Sequence, residues 1–275
     1  MNFIIGNVQI GTGAPLFVMA GPCVIESKAS CLDIAHGLFD ISRKTGVAII
    51  FKASFDKANR SSLHSFRGPG LEKGLDILSA VREKSTLPVM TDVHEADQAE
   101  PVGRVVDCLQ IPAFLCRQTD LLCACAQTGR PINIKKGQFL SPEEMKNAVE
   151  KIRAGNNQKI MLTERGTFFG YNRLVNDMTA IDSMKKLGCP VVFDATHSTQ
   201  QPGGLGQASA GRRKMAPLLA RAAIAAGADG LFVEVHPEPE KAQSDAACIM
   251  PLDWLEALLS VCKQIFTIIR GECRE

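Results

Sequence analysis

Eight short apolar runs in the sequence end in residues that can carry charge or bind charge, and most of the chain's chemistry gathers at those ends. Cys23 follows the first run, in MAGPCVIES. The second opens FKASFDKANRSS, which supplies Lys52, Lys57, Asn59, Arg60 and Ser61. The third leads to Asp92 in TDVHE, the fourth to Gln110 in LQIP, and the fifth to Lys135 and Lys136 in NIKKG. The sixth gives Arg165 in TERG, and the seventh gives Asp194 and His197 in FDATHS. The eighth gives Glu234 and His236 in VEVHPEPEKAQSD, which runs on to Asp245. Lysines and arginines gathered in one concavity repel each other unless anions join them, and phosphate or carboxylate groups are the natural partners. The number of cations suits more than one anionic group. Cys23, His197, Glu234 and Asp245 form a second possible constellation, because thiolate, imidazole and carboxylate together suit a divalent metal such as Fe2+, Zn2+ or Mn2+. Their spacing is long, and each has another role open to it. Cys23 could be a small core residue, His197 a hydrogen-bonding group in a pocket, Glu234 a lysine partner and Asp245 a helix cap. His36, His64 and His94 lie in helix or loop contexts and read as structural or solvated.

These residues share a site only if the elements before them align. The runs LFVMA (16–20), VAIIF (47–51), LPVMT (87–91), VDCLQ (106–110), PINIK (131–135), IMLTE (160–164), PVVFD (190–194) and LFVEV (231–235) do not alternate polar with apolar. Continuous apolar strands are what a parallel sheet with a covered outer face requires. Helical patterns fill the gaps. SPEEMKNAVEKIRAG predicts a helix with Ser141 as N-cap, Pro142 as first residue, Glu144 closing a capping box and Gly155 as the stop. Eight such units predict a TIM-type (β/α)8 barrel as one domain over 1–275, rather than a doubly wound open sheet. The opening FIIGNVQIG predicts a β-hairpin within 1–12, turning near Gly6-Asn7 and closing the barrel bottom. The active site of such a barrel lies at the C-terminal ends of its strands, which places the strand-exit residues on one rim. A one-residue step along a strand reverses the side chain, and the register turns Lys135 rather than Lys136 inward. QQPGGLGQASAGRR lacks the Gly-Lys-Ser/Thr ending of a P-loop and reads as a lid beside the rim.

Bulk properties narrow the class. The formal net charge of +2 gives no general attraction to nucleic acid or to an acidic membrane, so anion binding must be local. No basic segment followed by a long apolar stretch opens the chain, and no run approaches the roughly 20 apolar residues of a membrane helix. The ten cysteines include no C-x-x-C pair and read as reduced, mostly buried thiols of a cytoplasmic protein. Cys123 and Cys125 sit in DLLCACAQT, which reads as a packed helix.

The segments AGPC.IES, FKASFDKANRSS.HS.RGPG, NIKKGQF, TERG..FGY, DATHS.QQPGG and HP.P.KA.SD, taken in order from about 18 to 255, resemble the 3-deoxy-D-manno-octulosonate 8-phosphate synthase family. The resemblance implies a TIM barrel, usually homotetrameric, that condenses phosphoenolpyruvate with D-arabinose 5-phosphate and releases phosphate in lipopolysaccharide biosynthesis. It implies that Lys57, Gln110, Lys135 and Arg165 hold the carboxylate and phosphate of phosphoenolpyruvate, with Lys52 and Asp92 lining the same pocket. Asn59, Arg60 and Ser61 would hold arabinose 5-phosphate, and His197 could handle protons as well as ligate. One class of the family binds a divalent metal through Cys, His, Glu and Asp, whereas the other carries Asn in place of the Cys. Cys23, His197, Glu234 and Asp245 match the metal-dependent class. The related 3-deoxy-D-arabino-heptulosonate 7-phosphate synthases typically carry Lys-Pro-Arg-Thr in the second loop instead of KANRSS. Sialic acid synthases usually add a C-terminal domain. A non-catalytic barrel that senses sugar phosphate is the reading from another class, and the intact charged rim speaks against it.

Overall fold

Side chains along a strand alternate between its two faces, and in a closed barrel one of those faces is the interior. The computed structural model describes residues 2–60, 62–203 and 210–272. Its main sheet holds the parallel strands β1 (Phe17–Gly21), β2 (Ala48–Lys52), β3 (Val89–Asp92), β4 (Cys108–Ile111), β5 (Ile132–Lys135), β6 (Ile160–Glu164), β7 (Val191–Asp194) and β8 (Gly230–His236). Each pairs with its neighbour in sequence order, and β8 pairs with both β7 and β1, so the sheet closes into the expected (β/α)8 barrel. The helices α1 (Lys28–Thr45), α2 (Leu71–Ser85), α3 (Ala99–Val105), α4 (Thr119–Gln127), α5 (Met145–Ala154), α6 (Thr179–Lys185), α7 (Ala216–Ala225) and α8 (Trp254–Glu272) follow the strands one by one. No helix among the described residues is long and apolar enough to cross a membrane.

Boundaries moved where local bonds compete. VDCLQ predicts a strand from Val106, but β4 begins at Cys108. The Val106 N–H still closes α3 onto Val102, and the Asp107 carboxylate is spent on the Val89 N–H at 2.9 Å. The capping box forms as expected, with Ser141 N–H donating to Glu144 at 2.8 Å and Glu144 N–H to Ser141 Oγ at 3.3 Å. The turn it caps is wound tightly, with Met145 N–H reaching only back to Pro142 O, so the regular α-helix starts at Met145.

The outward residues of the strands pack under the helices, whereas the inward ones form a separate apolar cluster. Phe17, Met19, Ile50, Met90, Cys108, Met161, Val192 and Phe232 fill the interior, and Ile5, Val8 and Ile10 of the N-terminal hairpin join them from below. The hairpin pairs Asn2–Ile5 with Val8–Gly11 across Gly6-Asn7, where Gly6 takes the left-handed φ of +57° that so tight a turn demands. At the next inward position the strands after β1 carry Lys52, Asp92, Gln110, Lys135, Thr163, Asp194 and Glu234, and on β5 the position below, Asn133, is already polar. An apolar floor thus carries a polar mouth, and period two along each strand is what separates them.

Candidate active site

The mouth is built around two buried carboxylates. Asp194 is fully buried at the end of β7. Its Oδ2 accepts from Lys135 Nζ at 2.5 Å and from His197 Nδ1 at 2.8 Å, while Oδ1 accepts the His197 N–H at 2.9 Å. Burial works against the charge on Asp194, but His197 and Lys135 outweigh it and hold its carboxyl well below the usual range. An ionised carboxylate only accepts, so Nδ1 of His197 must carry the proton. Nε2, on the other side of the ring, faces Glu234 Oε1 3.6 Å away. Lys135 also lies 3.5 Å above the centre of the Phe232 ring. Burial lowers its pKa, against the pull of Asp194.

Glu234, at the end of β8, is the second. Lys52 and Lys57 each place Nζ 3.8 Å from its Oε1, too far for a hydrogen bond. That oxygen is buried without a hydrogen-bond partner among the described residues. Lys52 also approaches Asp92 at 3.5 Å, and Asp92 is held on its other side by His94 Nε2 at 3.0 Å. Burial opposes ionisation of Asp92, but Lys52 and His94 keep its carboxyl well below the usual range.

Cys23 arrives through the tight exit of β1. A Cβ on Gly21 would stand 2.1 Å from Lys52 O, so only glycine lets the first two strands close this tightly. The chain then stays beside β2, with Ile25 N–H bonded to Ser54 O at 2.9 Å. From the far loop, Glu26 accepts the Gln243 N–H at 2.8 Å and draws Asp245 over the mouth. Cys23 Sγ lies 2.9 Å from Ser244 Oγ and 3.3 Å from Asp245 Oδ2. Cys23, Glu234 and Asp245 each offer a donor atom within 4.8 Å of the others. The structure thus brings three of the four expected metal donors together and sets the fourth, His197, beside Glu234. A soft thiol, two carboxylates and an imidazole nitrogen suit a divalent cation, and the unpartnered Glu234 oxygen fits the same purpose. Burial, then Glu234 and Asp245, push the Cys23 thiol well above its ordinary value. A thiolate there therefore needs a cation to hold it.

The remaining expected residues fall as follows. Gln110 is buried at the end of β4, and its side-chain oxygen accepts from Asn133, which in turn accepts from Thr163. Arg165 is buried beside β6, bonded through Nη2 to Gln200 Oε1 at 2.6 Å, while Nη1 has no partner among the described residues. Arg60 donates to Phe66 O at 3.0 Å and keeps a buried Nη2 with no partner among the described residues; Asn59 stands exposed on the rim; Ser61 lies outside the described residues. Lys136 points to the other face, 3.6 Å from Glu164. His236 accepts the Glu238 N–H and faces Glu26 at 3.7 Å. Residues 204–209 of the expected lid lie outside the described residues, and its flanks pair as Gln200–Gln201 with Ala210–Gly211. Asp194 stood at a strand exit in the sequence and received no role. Gln200, Asn133 and Thr163 were missed. Strand parity gives away Asp194, Asn133 and Thr163, whereas Gln200 is marked only as the first residue of the QQPGG segment after His197, with nothing to say what it touches. Of the two roles open to His94, the structure shows the structural one: its side chain is only 7% exposed, meets Phe55 edge-on and holds Asp92.

The chain as a whole has many relatives. Residues 2–270 match the model of the DAHP synthetase I family. A protein of Syntrophotalea carbinolica, named 2-dehydro-3-deoxyphosphooctonate aldolase, is 52% identical over 267 residues, covering 97% of this chain and 96% of its own. Proteins of the same name from Desulfatibacillum aliphaticivorans and a Geobacter species are 55% and 54% identical over 259 and 265 residues. They cover 94% and 96% of this chain, and 95% and 97% of their own lengths.

Proposed function

The chain belongs to the DAHP synthetase I family, and from that premise we propose that it condenses phosphoenolpyruvate with D-arabinose 5-phosphate and water. The products are 3-deoxy-D-manno-octulosonate 8-phosphate and inorganic phosphate, on the route to lipopolysaccharide. The relatives' name describes aldol chemistry on a phosphorylated eight-carbon acid, which three carbons from phosphoenolpyruvate and five from a pentose supply. The family description carries the name of the seven-carbon product, which would need a four-carbon sugar. KANRSS in the second loop and the relatives at full length favour the five-carbon one.

The single observation that carries the reading is the meeting of Lys52, Lys57, Lys135 and Arg165 with the donors Cys23, Glu234 and Asp245 at one barrel mouth. Lys57, Gln110, Lys135 and Arg165 hold the carboxylate and phosphate of phosphoenolpyruvate, with Lys52 and Asp92 beside them. Asn59, Arg60 and Ser61 take the sugar phosphate. Cys23, His197, Glu234 and Asp245 hold a divalent cation, Fe2+, Zn2+ or Mn2+, which supplies Lewis-acid chemistry when bound. Clamping both substrates removes the entropy of bringing them together. The enol carbon of phosphoenolpyruvate then bonds to the aldehyde carbon, and the aldehyde oxygen takes a proton. Water adds to C2 and gives up one proton; the C2–O bond to phosphate then breaks as the C2 hydroxyl passes its remaining proton to the leaving phosphate, which leaves the ketone. The buried cations neutralise the phosphate as it leaves. His197 and Lys135 both face this chemistry from Asp194, which fixes the proton on Nδ1 and keeps Nζ in place.

The same reading carries a homotetramer and a cytoplasmic location. Exposed Phe114, Phe169 and Tyr171 on the loops after β4 and β6 support assembly, since Tyr171 is 97% exposed in the single chain. Phosphate release from the purified protein, loaded with divalent metal, tests the function. Release that requires both substrates supports it. Release from phosphoenolpyruvate without the sugar phosphate, or none with both substrates, overturns it.

A further inference from the structure

We propose that Gln200 is a positioning residue that couples the anion clamp at Arg165 to the metal-donor set at Asp245, so that phosphoenolpyruvate and a divalent cation bind cooperatively. The inference rests on the proposed function of this site and names a link within it. Gln200 Oε1 accepts from Arg165 Nη2 at 2.6 Å, and Gln200 Nε2 donates to Asp245 Oδ1 at 2.9 Å. A guanidinium can only donate and a carboxylate can only accept. The amide therefore has one possible orientation between them. A hydroxyl is too short to span the two, and a carboxylate in its place would set two acceptors against each other.

Both ends of this bridge have a further contact to make. On Arg165, Nη1 remains buried without a partner among the described residues, the end available to an anion. On Asp245, the other oxygen faces Cys23 Sγ at 3.3 Å. The backbone under Gln200 is fixed from two sides. It closes the short 3-10 turn His197–Thr199 onto His197 O, and it pairs with Gly211. With the backbone held, the side chain can follow Arg165 or Asp245 only by moving the other. A ligand that fixes either end orders the amide and presents the opposite end ready-placed to the second ligand. The second ligand then loses less freedom on binding, which gives positive coupling.

Binding linkage makes this coupling the same in both directions. The test uses the full chain stripped of metal. Cobalt(II) affinity is read from the thiolate–cobalt charge-transfer band, with and without saturating phosphoenolpyruvate. Phosphoenolpyruvate affinity is read by calorimetry, with and without cobalt(II). In the parent, each should tighten the other by about fivefold or more, within the usual range for coupled sites. In Gln200→Met, which keeps length and loses both bonds, the factor should fall below about twofold. Gln200→Glu keeps the shape and the bond to Arg165 but loses the donor to Asp245, and its factor should fall likewise; it decides the matter if Gln200→Met fails to fold. Coupling in the variants equal to the parent's, or a parent without coupling, overturns the role of Gln200. A folded parent that binds no phosphoenolpyruvate under either condition overturns instead the functional reading on which it rests.

Discussion

Replacing Asp194 with Asn should cost stability out of proportion to the atoms changed. The carboxylate is fully buried and accepts from Lys135, His197 and Thr196 at once. Lys135, with a side chain only 7% exposed, has no closer carboxylate. Removing one partner of a buried pair strands the other charge, at about 3–5 kcal/mol. Lys135→Met leaves the carboxylate with His197 and Thr196 and should cost less. Losing both charges together avoids that cost, so the double variant should be more stable than the sum of the singles by about 2–3 kcal/mol. Denaturant unfolding of the four proteins at neutral pH measures this coupling. The acid limb adds a second readout. The pKa of Asp194 is depressed in the folded state, so its stabilisation is present above the unfolded value, about 3.9. It is lost as pH falls through the folded value. The gap between parent and Asp194→Asn should accordingly narrow below about pH 4. Additive losses in the double variant, together with a gap that does not change with pH, would refute the buried pair.

Arg165→Ala should raise KM for phosphoenolpyruvate and lower turnover, the loss in kcat/KM amounting to about 2–5 kcal/mol for a charge pair in a desolvated site; unchanged kinetics remove Arg165 from the clamp. Cys23→Ser should weaken metal binding, because a neutral hydroxyl is a poor substitute for thiolate, and a metal assay after dialysis checks it. Cys23→Asn should keep partial activity that resists chelators; activity as chelator-sensitive as the parent's argues that Cys23 is no ligand. Ile10→Ala, at a hairpin residue 1% exposed, should cost about 2–5 kcal/mol while leaving phosphoenolpyruvate affinity unchanged. Calorimetry and denaturant unfolding separate the two effects.

Much of the barrel is legible in the sequence, because a strand covered on both faces must be apolar almost throughout, and eight such runs leave few other closures. Strand ends were harder to place. Asp107 belongs to the run VDCLQ, but its carboxylate is committed to the Val89 N–H, a bond between segments that no local pattern records. Charged residues announced the rim, since a cation after an apolar run needs a reason. The amides did not. Asn133 and Gln200 bear no charge, and their value comes from which oxygen or nitrogen they turn to which neighbour. Asp194 lay in plain view at a strand exit, but its part became apparent only when β5 and β7 placed Lys135 across from it. The four residues expected as metal donors lie far apart in the sequence, and their spacing alone carries no metal signature; closure of the barrel brings Cys23, Glu234 and Asp245 together.

The most direct test of the proposed activity is the ratio of kcat/KM for D-arabinose 5-phosphate to that for D-erythrose 4-phosphate, measured by phosphate release with phosphoenolpyruvate and saturating divalent metal, with the product identified by mass. The second loop, with Asn59, Arg60 and Ser61, leads us to expect a ratio far above one and an eight-carbon sugar acid phosphate as the product. A ratio below one, with the seven-carbon acid formed, would contradict it.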